Sequence, residues 1–416
     1  MKQYQLLSDV CEFIVDCEHK TAPTQPTGYP SIRTPNIGRG KLILDNVNRV
    51  SEETYKAWTK RAIPQKNDLI LAREAPVGNV AIIPENLKVC LGQRTVLIRP
   101  DKRKVDPRYL CYLLLGDEIQ GKFLSISNGA TVHHLNLKDI RNLELPEIPN
   151  IPTQQKIAAI LSNYDDLIEN NTRRIKILEE MAQTLYYEWF VKFRFPGHEQ
   201  VKMVESELGL IPEGWEVINF TDIADVLSGG TPKTKISEYW NGSIPFFTPK
   251  DTPDNFYVMQ TEKSITELGL SKCNSKLYPK NTVFITARGT VGKAVMTAVD
   301  MAMNQSCFAL RGKDNINQYF VFLTIKNYVE YLQKAASGAT FDAIIIDNFR
   351  RLIVIKPNII LINKFDNLIS PTFEQIINLI QKNQNLRTTR DLLLPKLISG
   401  EIDVENLEID TGNIAA

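Results

Sequence analysis

The chain has 416 residues, 43% of them hydrophobic and 23% charged, with 49 Lys and Arg against 48 Asp and Glu. That composition excludes a disordered or fibrous protein and leaves room for two or three domains with sizeable cores. No segment stays uncharged for the ~18 residues a membrane span requires. The first twenty residues hold acidic side chains and cysteines where a secretory leader would be apolar, so a cytoplasmic protein is expected.

Charge is unevenly spread. Residues 1–150 carry 21 Lys and Arg against 17 Asp and Glu, and residues 215–358 carry 16 against 13. Residues 151–214 carry 7 against 10, and residues 359–416 carry 5 against 8. Basic and acidic blocks therefore alternate along the chain. Cys11, Cys17, Cys90, Cys111, Cys273 and Cys307 form no C-x-x-C pair and no zinc-ligand pattern, which predicts reduced, mostly buried thiols and no metal.

In chain order, the first block opens with the loop SIRTPNIGRGKL, residues 31–42, which mixes glycine with cations and amides. DLILA and NVAIIP, residues 68–72 and 79–84, are short β-branched runs bounded by turn residues and predict strands. Residues 107–126, PRYLCYLLLGDEIQGKFLSI, predict one helix that ends near the glycine of SNGAT, residues 127–131. A periodic stretch from 153 to 190 follows, then a connector rich in Pro and Gly (193–214). The second block repeats the plan: SGGTPKTKISEYWNG (228–242), strands in TVFITA (282–287) and KAVMTAV (293–299), one helix over 317–336, SGAT (337–340) and a second periodic stretch over 361–398.

The matches keep their order. AREAPVG at 72–78 answers ARGTVG at 287–292, and Pro149-Asn150-Ile151 answers Pro357-Asn358-Ile359 at an offset of 208 residues. The chain is thus an internal repeat of two mixed α/β units. ARGTVGK is no phosphate cradle: a P-loop needs glycine where Ala287 stands and Ser or Thr where Ala294 stands.

Leu161, Tyr164, Ile168, Asn171, Ile175, Leu178, Ala182, Leu185 and Trp189 fall at alternating steps of three and four. Adding 208 gives Ile369, Thr372, Ile376, Leu379, Asn383, Leu386, Arg390, Leu393 and Leu397, a looser seam with Thr372 and Arg390 as faults and Pro371 near its start. Two such heptad seams predict a coiled-coil pair, with Asn171 and Asn383 setting register. The alternative is that each helix packs on its own unit. Connectivity makes the pair antiparallel, with the globular units at opposite ends of a spacer. At 1.5 Å per residue, ~38 residues span roughly 57 Å.

Basic heads on a rigid spacer suit a reader of two separated sites on duplex DNA, whose phosphates attract cations and whose grooves are read by Arg, Lys, Asn and Gln. Loop position and chemistry single out Lys20, Arg33, Asn36, Arg39, Lys41, Arg73, His133, Thr231, Lys233, Lys235, Lys250, Arg288, Lys293 and Thr340 as candidate DNA contacts. Each of those loops also fits an ordinary solvated surface. No catalytic constellation accompanies them. The chain has no Pro-Pro step for an adenine-methyltransferase loop, no G-x-S-x-G and no H-E-x-x-H. Glu18-His19-Lys20 has an E-x-K spacing but lacks the Pro-Asp partner a nuclease would place upstream.

Residues 151–197 followed by LGLIPEGW (208–215), GGTPKTKISEYWNGSIPFFTPKD (229–251) and LPKLISGEIDV (394–404) together resemble the specificity subunits of type I restriction-modification systems over nearly the whole chain. The resemblance implies two target-recognition domains (1–150 and 215–358), spacer helices (151–192 and 359–400), a connector (193–214) and a tail (401–416). Each domain would bind one half of a split, asymmetric DNA site. It implies a subunit without catalysis of its own, joined by two methyltransferase subunits and optionally two restriction subunits, to which S-adenosylmethionine, ATP and Mg belong. The helices would dock those partners through apolar residues off the seam such as Ile157, Ile160, Leu167, Phe190 and Ile380. A two-headed protein scaffold that reads no DNA sequence is the alternative, and a nuclease using Glu18 and Lys20 is a third.

Overall fold

The computed structural model describes residues 5–127, 134–336 and 343–411. Two compact units divide it, one formed by Met1–Ile168 with Gln384–Ala416, the other by Glu169–Asn383. Both contain the same pair of sheets.

In the first unit a five-stranded sheet runs in the order Cys11–Asp16, Thr95–Pro100, Leu69–Ala72, Val80–Ile82, Gly40–Lys41. A three-stranded sheet beside it runs Arg49–Val50, Tyr29–Ile32, Cys90–Leu91. The second unit repeats both orders, as Ala224–Ser228, Cys307–Gly312, Val283–Thr286, Ala294–Thr297, Tyr257–Val258 and as Lys263–Ile265, Trp240–Phe247, Ala302–Met303. Within each, the last strand of the larger sheet pairs parallel and its neighbours antiparallel. LILA and VFIT are buried at every position, as central strands covered on both faces require, which is why they read as unbroken apolar runs.

The single helix expected over 107–126 is two, Pro107–Leu115 and Asp117–Ile126, and the one over 317–336 is also two, Gln318–Asn327 and Val329–Ala336. Gly116 breaks the first pair by taking extended backbone angles between them. Tyr328 takes the corresponding place in the second. The leading helices are capped alike. Asp106 accepts from the N–H groups of Arg108 and Tyr109, and Asn317 accepts from that of Tyr319, each satisfying donors that the first turn leaves open.

The repeated Pro-Asn-Ile step is also a cap. Asn150 accepts from Thr153 N–H at 2.9 Å and Asn358 from Leu361 N–H at 2.8 Å, starting the long helices Ile151–Tyr186 and Ile359–Ile398. The first ends in a π-turn, Tyr187–Val191. The second continues through Pro371 without a break. A proline inside a helix removes one hydrogen bond at a cost of ~3 kcal/mol or more. Pro371 and Asn367, whose carbonyl loses its donor, are both exposed, where water can supply one.

Within the first unit, residues 151–168 lie with residues 384–398. Leu161 is fully buried, Leu397 nearly so, and Leu393 packs partly buried on the same core. Arg390 is not a gap in the seam: its guanidinium pairs with the Asp165 carboxylate, which also accepts the Tyr112 hydroxyl at 2.6 Å. Within the second unit, Ile175, Ala182, Ile369, Ile376 and Leu379 are buried, with Leu178 and Leu185 packed against them. Asn171 Nδ2 donates to Asn383 Oδ1 at 2.9 Å, and Asn383 Nδ2 donates to the Thr172 hydroxyl at 3.2 Å. Tyr164, Ile168, Thr372 and Leu386 are buried or half-buried as well. Of the apolar residues expected off the seam, Ile157 and Phe190 are core, Ile160 and Ile380 pack half-buried against it, and Leu167 is 53% exposed.

The segment expected to be a connector is itself folded. Met203–Ser206 and Gly209–Pro212 form a hairpin, and Phe195, Ile211 and Trp215 are buried in the second unit's core. All six cysteines are free. Among the described residues no helix is long and apolar enough to cross a membrane, and no group of three or more His, Cys, Asp or Glu is arranged to hold a metal ion.

Candidate nucleic-acid interface

Four loops meet at one end of the larger sheet in each unit. In the second unit they are residues 229–235, 272–276, 287–293 and 304–306. Gly229 N–H donates to Cys307 O at 3.4 Å, Gly230 N–H to Met303 O at 3.2 Å, and Ala287 N–H to Ser306 O at 2.8 Å. Ser275 Oγ accepts from Met303 N–H at 3.0 Å, which brings in the 272–276 loop. The Gly-Gly pair is required by this approach. A Cβ on Gly229 would lie 2.1 Å from Asn304 O, and one on Gly230 would lie 2.6 Å from Asn274 N.

The first unit builds the same junction from residues 17–20, 59–63, 73–79 and 92–94. Cys17 N–H donates to Thr95 O at 3.2 Å and Arg73 N–H to Arg94 O at 2.9 Å. Arg61 reaches across to Cys17 O at 3.1 Å. Gly92 N–H donates to Ile32 O at 2.7 Å, as Asn304 N–H does to Phe247 O at 2.9 Å. Residue by residue, 17–19 of the first unit therefore correspond to 229–231 of the second, and 92–94 to 304–306.

The two junctions carry their charge differently. The four segments of the second unit contain no acidic residue. Lys233, Lys235, Lys272, Lys276 and Arg288 are exposed there, and none pairs with an acidic residue among the described ones. In the first unit Glu18 and Glu74 enter the junction. Arg61 pairs with Asp16 and Glu18, Arg94 with Glu74 at 2.8 Å, and His134 Nδ1 with Glu74 at 2.7 Å. Arg73 is buried, its guanidinium donating to Leu135 O at 2.7 Å and lying 2.9 Å from His134 Nε2. Lys20, Arg33 and Lys60 remain exposed.

The expected contact residues thus separate. Lys20 and Arg73 lie in the segments of the first junction with Arg33 beside Gly92, and Thr231, Lys233, Lys235 and Arg288 lie in those of the second. Asn36 is turned inward: it accepts from Arg33 N–H at 3.1 Å, donates to Ile43 O at 3.2 Å and organises its own loop. Arg39 is drawn to the carbonyl of Leu115 at the end of a helix (2.8 Å), and Lys41 is exposed on the short strand beside it. Lys250 is exposed in the turn Pro249–Asp251. Lys293, the last residue of the 287–293 loop, lines a cavity of about 500 Å³ with Glu179, Gln183, Asp254, Lys326 and Gln333. There, burial pushes the Glu179 carboxyl up to about 7 although it accepts Phe256 N–H at 2.6 Å, and burial lowers Lys326. His133 and Thr340 lie outside the described residues. Glu18 pairs with Arg61 at 3.5 Å.

Residues that sequence reading passed over also belong to the junctions, among them Lys60, Arg61, Arg94, Lys272, Lys276 and the glutamine preceding each long strand, Gln93 or Gln305. A signal for the last was present, since a glutamine follows the repeated A-R-x phrase in both halves, 21 residues after Ala72 and 18 after Ala287.

Fold and junction together define a duplicated α/β binding protein with a polar, cation-bearing loop cluster on each repeat. Residues 3–180 and 212–390 each match the model of the type I restriction modification DNA specificity domain. The type I restriction enzyme MjaIX specificity subunit of Methanocaldococcus jannaschii is 31% identical over 86% of this chain and 82% of its own length. The HindI specificity subunit of Haemophilus influenzae is 25% identical over 90% of this chain and 95% of its own. The crystal structure of the type I S subunit from M. genitalium shares the fold, with a TM-score of 0.58 and 16% identity over 95% of this chain and 97% of that one. The chain belongs to the type I restriction-modification specificity subunit family.

Proposed function

We propose that this chain supplies the DNA sequence specificity of a type I restriction-modification complex and carries no reaction itself. Residues 1–150 and 215–358 are its recognition domains, and each binds one half of a split, asymmetric duplex site. The recurrence of one loop junction in both units, cation-bearing each time, is the observation that carries this reading. Arginine and lysine neutralise phosphates, while amides and guanidinium groups read base edges. The long helices set the distance between half-sites and dock two methyltransferase subunits and, where present, two restriction subunits. Adenine methylation with S-adenosylmethionine and ATP- and Mg-dependent cleavage belong to those partners. Exposed apolar residues along the helices, Leu167, Ile177 and Met181 on the first and Ile360, Leu368 and Leu392 on the second, support such docking.

The test is selection from a randomised duplex library by the full chain, alone and co-expressed with a methyltransferase subunit, at near-physiological salt. Two short motifs at one fixed spacing are expected. Recovery of no motif with the partner present would contradict the proposal and favour a protein scaffold.

A further inference from the structure

Outside the repeated A-R-x phrase the two junctions differ in nearly every exposed side chain, yet one further position is the same. Gln93 follows the short strand Cys90–Leu91 and precedes Thr95–Pro100; Gln305 follows Ala302–Met303 and precedes Cys307–Gly312. Their flanks are unlike, Gly and Arg in one unit, Asn and Ser in the other. Each glutamine is tethered to the same place. Gln93 Nε2 donates to the carbonyl of His19 at 3.4 Å, and Gln305 Oε1 accepts the hydroxyl of Thr231. His19 and Thr231 are each the third residue past the first strand of the larger sheet, Cys11–Asp16 or Ala224–Ser228.

A carboxamide offers two N–H donors and an oxygen with two lone pairs. The tether uses one donor in the first unit and one lone pair in the second, so each glutamine keeps a donor and an acceptor on a half-buried or exposed group. That donor and acceptor form the set that pairs with N7 and the N6 amino group of adenine in the major groove. A side chain whose amide is already held at one atom also loses less rotational freedom on binding.

Resting on the specificity role proposed above, we propose that Gln93 and Gln305 are equivalent base-reading residues. Each recognises an A·T pair in the half-site its unit binds, and the neighbouring residues that differ supply the discrimination between halves. The shared chemistry of the two units then lies in this amide, and their different sequence preferences lie around it.

The experiment repeats the library selection with the full chain and its methyltransferase subunit, comparing wild type, Gln93→Ala, Gln305→Ala and Gln305→Glu. Wild type reports the two half-sites. Each alanine variant is expected to relax preference at one A·T position of one half-site, by roughly 10- to 100-fold, leaving its other positions and the opposite half unchanged. Gln305→Glu keeps the acceptor and loses the donor, so preference at that position is expected to move towards cytosine, whose N4 amino group donates. Uniform weakening of every position in a half-site would overturn the proposal, showing that the glutamine only props its loop. Unchanged preference would overturn it too. A wild-type chain that recovers no motif would fail the specificity role first and this inference with it.

Discussion

The two units show how far one strand order can be kept while the chemistry on it changes. Both present four loops at the same end of the larger sheet, three of them joined by backbone hydrogen bonds that recur at matching positions and the fourth held by a side chain. In the second unit five cations stand there without an acidic ion-pair partner among the described residues; in the first, Arg61, Arg73 and Arg94 are tied down by Asp16, Glu18, Glu74, His134 and a carbonyl. Backbone pairing is satisfied inside the sheets and leaves the loop side chains free to vary, so function resides in the loops. A paired cation has fixed geometry and little net charge to offer a phosphate. An unpaired one has the opposite properties. Lys20, Arg33 and Lys60 are exposed in the first unit too, so the second unit is the better suited to attraction and the first combines free cations with a set arrangement of groups.

The helices repeat the contrast. The first unit holds its two helical segments through Tyr112, Asp165 and Arg390, an ionic arrangement, and the second through the Asn171–Asn383 amide pair. Removing the Asp165 carboxylate leaves a half-buried guanidinium without its cross-helix partner and a buried tyrosine hydroxyl without its acceptor. Asp165→Ala is expected to destabilise the first unit by roughly 2–4 kcal/mol, with the second unit unaffected. Hydrogen exchange at residues 107–115 against residues 318–327 would read this; equal loss of protection in both units would erase the distinction.

A smaller effect separates the units by pH. Asp366 is buried in the second unit with no hydrogen-bond partner for either carboxylate oxygen, and burial pushes its carboxyl up to about 7. In the unfolded chain it ionises near 4. The unfolded state therefore releases its proton first, and the second unit loses stability as pH rises from about 4 to about 7, then stays at the lower level. Glu179 acts in the same direction. Asp366→Asn should be more stable than wild type at pH 8 by roughly 1–3 kcal/mol, with most of that gain gone at pH 4. Thermal unfolding at the two pH values would check it, and a pH-independent difference would refute the ionisation argument.

The smallest expected change is at the amide pair. Asn383→Ala strands the Asn171 carboxamide in a buried position and should cost the second unit about 1 kcal/mol, measured as a shift in the midpoint of urea unfolding. No shift would mean that the pair contributes only to register.

Much of this was legible because it is periodic or repeated. Alternating steps of three and four exposed both long helices, and the Pro-Asn-Ile step marked their starts, although only the structure shows that its asparagine is the cap. What escaped was non-local. Arg390 looked like a fault in a heptad because its partner, Asp165, lies 225 residues away. Asn36 has the right chemistry for a base reader, yet its amide is consumed by its own loop. Gly116 divides a helix because it takes an extended conformation where the periodic pattern continues unbroken. The junction itself depends on hydrogen bonds between loops up to about 80 residues apart, and nothing in the spacing of one loop announces the next.

The central claim is that like folds carry unlike electrostatics to one DNA. Its most direct test is the salt dependence of binding to the selected split site, measured for wild type and two charge-neutralised chains in complex with the methyltransferase subunit. Each phosphate left without its cation lowers the slope of log K against log salt by about 0.9. Replacing Lys233, Lys235, Lys272, Lys276 and Arg288 by alanine should lower that slope by about 3–4, and replacing Arg61 and Arg94 by less than about 1. Equal changes for the two chains, or the larger change from Arg61 and Arg94, would contradict the account.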